Sequence, residues 1–298
     1  MSRRRLSAVV AVLALSGVTP VLMPAGEAAA AACSSYPNWV AGRSYAAGDI
    51  VRYTDGRAYR AEHANPGYDP VISTWYWEPY ACDNGPGPGT PVGSFVVTEA
   101  QFNQMFPSRN SFYTYSGLTS ALSAFPGFAT TGDEATKKRE AAAFLANVSH
   151  ETGGLVHIVE QNTANYPHYC DWSQPYGCPA GQAAYYGRGP IQLSWNFNYR
   201  AAGAALGIDL LNNPWLVERD AAVAWKTGLW YWNTQSGPGT MTPHNAMVNN
   251  AGFGQTIRSI NGSLECDGRN PAQVQSRVST YQRFAQILGV DPGGNLYC

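Results

Sequence analysis

The 298-residue sequence predicts a small β-rich module joined by a Pro/Gly linker to a larger module that carries a buried helix. Three observations carry that reading. Strand-like runs such as DIVRYTDGRAYRAE flank Asp55-Gly56, a dipeptide suited to a hairpin turn. NGPGPGTPVGS, residues 84–94, has linker composition. Beyond it, Ala141, Phe144, Leu145 and Val148 recur at the i, i+3, i+4, i+7 spacing of one apolar helix face.

At the start of the chain, Arg3, Arg4 and Arg5 precede an apolar run from Leu6 to Leu15, and a small-residue tract follows at Ala28 to Ala32. That is the layout of a secretory signal peptide, so residues 1–32 are set aside from the fold and the mature chain is expected to be secreted. Taking away three arginines and Glu27 leaves 16 basic and 19 acidic residues, a net charge of −3. This balance offers no electrostatic case for nucleic acid or a membrane as partner, and a monomer is expected. With 45% hydrophobic and 13% charged residues, the chain is not of disordered composition.

Six cysteines in an exported chain point to disulfides. Cys33 and Cys82 bracket the first module, while Cys170, Cys178, Cys266 and Cys298 lie beyond the linker. The simplest set pairs Cys33 with Cys82, Cys170 with Cys178 and Cys266 with Cys298, although four cysteines alone permit three connectivities.

The first module, residues 33–82, is rich in aromatic residues for its size. If Trp75, Tyr76 and Trp77 lie on a strand, both faces carry rings and one is left exposed or in a groove. Core packing accounts for part of this set. Exposed flat rings suit the apolar faces of pyranose sugars.

In the larger module the helical stripe continues to Glu151. Thr131 with Glu134 reads as a capping box that starts the helix, and Gly153-Gly154 stops it. A carboxyl beside an apolar stripe is expected to be desolvated and held above the ordinary value of about 4.3, which makes Glu151 a candidate general acid. Glu160, beside Gln161, Asn162 and Asn165, has a more polar setting that keeps it ionised as a candidate base. Such a pair suits hydrolysis of a glycosidic bond. A glutamate before Gly-Gly equally suits a solvated residue near a helix C-cap. HETGG lacks the second histidine of a helical zinc site, so no metal or other cofactor is expected.

YPNWVAGRSYAAGDIVRYTDGRAYRAEHANPGY and STWYWEPYAC resemble the small chitin-binding modules of carbohydrate-binding families 5 and 12. Many members carry adjacent tryptophans where this chain has His63-Ala64, which shifts the implied sugar platform to Tyr68, Trp75 and Trp77.

Residues 94–298 resemble the family 19 glycoside hydrolases, the chitinases of plants and streptomycete-like bacteria. The resemblance rests on FLANVSHETGG (144–154), AAYYGRGPIQLSWNFNYR (183–200), INGSLEC (260–266) and SRVSTYQRFAQILGV (276–290). It implies a mainly α, two-lobed lysozyme-like domain with a cleft, and supports the cysteine pairing above. It also implies an endochitinase with Glu151 as acid, Glu160 as base and Ser194 holding the attacking water. An inverting mechanism requires the carboxyls to stand about 6.5 to 9.5 Å apart. His150, Tyr185, Gln192, Asn198 and Asn261 match positions that line the sugar cleft, and Glu265 with Arg277 matches a pair that sets the charge of Glu151. Each residue also has a purely structural alternative: Asn198 and Asn261 binding their own backbone, Tyr185 packing beneath its loop, Arg277 on the surface of the last helix. Rival activities are cleavage of peptidoglycan, or chitin binding without catalysis. The stretch from Glu151 to Glu160 is short beside that of plant members, which implies fewer sugar subsites.

Overall fold

The computed structural model describes residues 36–53, 57–71, 73, 75–80 and 95–298. The expected leader, Cys33, Cys82, the Asp55-Gly56 turn and the linker lie outside the described residues.

In the first module, β1 (Ile50–Arg52), β2 (Ala58–Ala61) and β3 (Trp77–Tyr80) form an antiparallel sheet in the order β1-β2-β3. Val51 faces Tyr59 and Tyr59 faces Pro79 in its register. Tyr45, Val51, Tyr59, Ala61 and Trp77 are buried together. This corrects the place expected for Trp77. It is 1% exposed, and its indole donates to the Tyr68 carbonyl at 2.8 Å. The strand begins at Trp77, so the period-2 alternation starts there with the ring turned inward, and Trp75 belongs to the preceding turn. Trp75 and Tyr68 are exposed, and His63 stacks on Trp75 at 4.0 Å.

The larger module is helical, as the family resemblance implies. In order it holds α1 (Glu99–Met105), α2 (Tyr115–Ala121), α3 (Glu134–Thr152), α4 (Asn196–Leu206), α5 (Leu216–Arg219), α6 (Ala221–Thr234), α7 (Pro243–Val248), α8 (Phe253–Glu265) and α9 (Pro271–Ile287). Between α3 and α4 the chain is irregular apart from one 3-10 turn, Thr163–Tyr169. Irregular backbone can aim side chains that a helix would space out, and Glu160 belongs to this stretch.

Two apolar cores are formed. One holds Phe144, Trp225, Trp232, Phe253 and Tyr281, and the other Tyr185, Leu193, Tyr199, Leu210 and Trp230. Helix α6 serves both, because Trp225 and Trp232 point into the first while Val223 and Trp230 point into the second.

Helix α3 is buried on every side from Glu140 to Val148, so the expected one-sided stripe is part of a core helix that crosses the first lobe. Each of Phe144, Leu145 and Val148 contributes about 1.5–3 kcal/mol by leaving water. The helix starts two residues later than expected. Asp133 is the N-cap and accepts from the Thr136 amide at 2.8 Å, whereas the Thr131 hydroxyl donates to the Gly127 carbonyl. Gly153, in the left-handed region at φ 61°, ends it. Disulfides join Cys170 to Cys178 and Cys266 to Cys298, as expected.

Candidate active site

Glu151 and Glu160 line one cleft of about 550 Å³. Glu151 is in the last turn of α3, where Gly153-Gly154 halts the buried helix as it reaches the cleft. Its surroundings differ from the apolar setting expected. Its carboxylate accepts from Arg277 Nη2 of α9 at 2.5 Å, and that guanidinium also donates to both oxygens of Glu265, at 2.7 and 2.8 Å, and to Asn147 Oδ1 at 3.1 Å. Arg277 is 1% exposed, so it is a buried bridge and not a surface residue of the last helix.

Burial alone would push the Glu265 carboxyl up. The hydrogen bonds and charge of Arg277, with the Asn261 amide at 2.7 Å, outweigh it and hold the carboxyl below its usual range. The cluster sets one guanidinium between two carboxyl groups, and Glu151 is the carboxyl of the pair that meets the cleft. His150 is held below the usual histidine value by burial and by Arg277, so it adds no charge of its own near neutral pH.

The Glu160 carboxylate has a different set of partners. Oε1 accepts from Asn165 Nδ2 at 2.7 Å and Tyr169 Oη at 3.0 Å. The main chain is fixed too, since the Glu160 amide donates to the Gly187 carbonyl at 2.9 Å and the Glu160 carbonyl accepts from Tyr166 Oη at 2.9 Å. Burial and the bond to Glu160 push the Tyr169 phenol up to about 12, so it remains a donor across the working range. Gly187 leaves little room for a side chain: a Cβ there would come within 3.0 Å of Gln192 Oε1 and 3.3 Å of Ser194 Oγ, so both would have to give by a few tenths of an ångström.

Residues 96–298 match the sequence family described as chitinase class I. The chain belongs to glycoside hydrolase family 19. Endochitinase A of Zea mays is 48% identical over 210 residues, spanning 68% of this chain and 71% of that one. Among solved structures, a bacterial family 19 chitinase is 81% identical with a TM-score of 0.68, covering 68% of this chain and all of the other. Chitinase C from Streptomyces griseus HUT6037 is 77% identical, with a TM-score of 0.69 over 69% of this chain and 99% of that one. This chain is therefore a glycoside hydrolase of a family whose members include relatives named endochitinases.

In this family 19 enzyme the expected site residues divide into two groups. Glu151, Glu160, Gln192, Ser194, Asn198 and Asn261 all line the cleft. Ser194 Oγ donates to the Gln192 carbonyl at 2.8 Å, and Asn198 Nδ2 to the Ser194 carbonyl at 3.0 Å. Asn261 breaks α8 with a non-helical φ of −144°, and the kink lets it face the cleft while its amide reaches Glu265.

Tyr185 and His150 lie elsewhere. Tyr185 is fully buried in the second core, where its hydroxyl donates to the Leu211 carbonyl and accepts from the Ala180 amide, which corrects its placement as a cleft residue. In the run Tyr185-Tyr186 the fully buried ring is Tyr185, and Tyr186 is only partly buried. His150 is half-buried beside the Arg277 cluster and off the cleft wall.

The cleft also holds groups that sequence reasoning passed over. Tyr169 follows Glu160 closely, and a phenol donor near a carboxylate was the available signal; Asn165, already part of the polar setting expected for Glu160, donates to the same oxygen from outside the cleft lining. Tyr231, with its phenol pushed up to about 12 by burial and by Glu151, lines the wall from α6. Trp195 and Leu264 add exposed apolar surface to the same cleft. The aromatic residue stands out in IQLSWN, but nothing in its spacing tells exposed from buried.

Proposed function

We propose that the mature protein is a secreted, monomeric endochitinase that hydrolyses β-1,4 bonds between N-acetylglucosamine units with inversion. In this reading Glu151 protonates the leaving glycosidic oxygen, Glu160 takes a proton from water, and Ser194 helps to hold that water against the sugar. The observation that carries it is the unequal partnering of two cleft-lining glutamates. Glu151 shares one guanidinium with a second carboxylate, whereas the Glu160 carboxylate accepts from neutral donors, the Asn165 amide, the Tyr169 phenol and the Gly187 N–H. Gln192, Asn198 and Asn261 supply amides for N-acetyl and hydroxyl groups along the cleft.

Residues 33–82 serve in this proposal as a chitin-binding module, 83–93 as linker and 94–298 as the catalytic domain. Exposed Tyr68 and Trp75 support the sugar platform; Trp77 does not take part. Export of residues 33–298 after removal of 1–32 agrees with two closed disulfides.

The test is incubation of the mature protein with soluble N-acetylglucosamine hexamer while the anomeric protons are followed by NMR. New α-anomer appearing first supports hydrolysis with inversion. New β-anomer overturns the role given to Glu160, and absence of product overturns catalysis.

A further inference from the structure

We propose that Tyr166, Tyr186 and Arg188 form a stacked column that positions Glu160 from behind the cleft; the inference rests on the reading of Glu160 as base. The segment that carries the two side-chain donors to the Glu160 carboxylate is a seven-residue 3-10 turn, Thr163–Tyr169, with Pro167 inside it and none of its residues buried. Tyr169, at its end, packs partly against the second core, which does little to fix Asn165 and the start of the turn. Something else must hold it.

The Tyr166 ring lies flat on the Tyr186 ring, with centroids 3.6 Å apart and planes 11° from parallel. The Arg188 guanidinium carbon is 3.5 Å from the centroid of the same Tyr186 ring. Two groups that close to one centroid cannot share a face, so Tyr186 is sandwiched between them.

The lower end of the column is anchored in the second lobe. Arg188 is fully buried; Nε donates to Glu218 at 2.7 Å, and Nη1 to Tyr199 Oη at 2.8 Å and the Ala184 carbonyl at 2.7 Å. Its Nη2 has no hydrogen-bond acceptor among the described residues. A buried guanidinium with one donor unmet gains from the electron-rich ring face more than an exposed one does. Tyr186 is held separately, its hydroxyl donating to Glu218 at 3.2 Å and its carbonyl accepting from Tyr199.

The upper end meets the site. Tyr166 Oη donates to the Glu160 carbonyl at 2.9 Å, its two neighbours in the turn include Asn165, and Tyr169 closes the same turn. Arg188 and Val159 also pair as backbone neighbours, so both ends of the column flank the residue it orients. None of the three lines the cleft, which makes them positioning residues.

The test compares Tyr166→Leu, Tyr166→Phe and Tyr186→Leu by kcat, KM and thermal melting on the soluble hexamer. Misorientation of a reacting group costs rate, so kcat should fall about ten- to a hundredfold in Tyr166→Leu and Tyr186→Leu with KM little changed. Tyr166→Phe keeps the ring and should recover most of that loss. The double variant Tyr166→Leu/Tyr186→Leu should be no slower than either single one, because one column is lost once. A folded Tyr166→Leu with normal kcat, or a Tyr166→Phe as slow as Tyr166→Leu, overturns the column. A control separates this from the underlying reading. Near-normal turnover by Glu160→Gln overturns the base itself, whereas a dead Glu160→Gln beside an active Tyr166→Leu overturns only the column.

Discussion

Arg277 and Glu151 meet at 2.5 Å from helices whose contact residues are 126 positions apart in the chain. The contact makes the end of the first lobe's central helix answer to the last helix of the domain. With Glu265 it puts a guanidinium between two carboxylates at the cleft.

Replacing Arg277 should therefore damage stability and turnover together. Arg277→Met leaves Glu265 buried and Glu151 half-buried without a cation, and breaking such a group costs about 3–5 kcal/mol. Arg277→Lys keeps the charge but cannot span Glu151, Glu265 and Asn147 at once. It should melt at a temperature between those of the wild type and Arg277→Met, with kcat lowered more than KM is raised. Thermal melting and hexamer kinetics on the two variants check this; Arg277→Lys matching the wild type would show that charge alone matters, and Arg277→Lys matching Arg277→Met would show that the retained charge contributes nothing.

What the sequence disclosed about this site follows the range of each interaction. The end of α3 was legible because capping, periodicity and Gly-Gly are local. The partner of Glu151 was reachable only through family resemblance, since no periodicity links residues so far apart. The capping residue was misplaced by two positions because Thr131 and Asp133 both suit an N-cap, and only the backbone decides between them. Trp77 is expected at a binding surface because an aromatic ring in sequence carries no sign of which way it points, and Tyr185 only because the family resemblance implies it. Both fill cores instead.

Glu151→Gln should keep the fold and lose turnover. The amide still accepts a bond from Arg277 but cannot give up a proton, and loss of a general acid costs about a hundred- to ten-thousandfold in rate. Near-normal kcat with an unchanged melting temperature would falsify its role as acid.

Trp195 carries a left-handed backbone, φ 76°, at the start of α4 while its ring, 37% exposed, lines the cleft against the edge of Tyr169. A non-glycine residue held there stores about 1–3 kcal/mol of strain. Trp195→Gly should accordingly melt above Trp195→Ala, because only glycine relieves that backbone. Both should raise KM for the hexamer by losing the same sugar-facing ring. A Trp195→Gly that melts below Trp195→Ala contradicts the strain, and an unchanged KM contradicts the contact.

Glu140, fully buried on α3, accepts from His244 at 2.6 Å, from the Trp232 indole and from the Ala129 amide. The bond to Glu140 raises His244 above its ordinary value, outweighing the opposing effect of burial. A histidine raised on folding adds stability that is fully present below its unfolded value of about 6.5 and is lost as pH climbs through the folded one. The melting-temperature gap between wild type and His244→Gln should thus be widest below pH ~6.5 and narrow on the alkaline side. A gap that widens with rising pH would reverse the sign and the assignment.

Deleting residues 33–82 should lower activity on insoluble chitin several-fold and spare the soluble hexamer. The larger module has its own two cores and cleft, so its chemistry does not depend on the first module's sheet. A tether acts by keeping the cleft near a surface, an advantage that vanishes when substrate diffuses freely. Trp75→Ala in the full chain should reproduce part of the loss, because Trp75 presents an exposed ring backed by His63. Trp77→Ala should instead unfold the small module, since it removes the largest buried side chain of that core. Circular dichroism of the isolated variants separates these two routes to weaker binding. An equal fall of activity on solid and soluble substrate after the deletion would show that the first module supports the catalytic fold and does not act as an anchor.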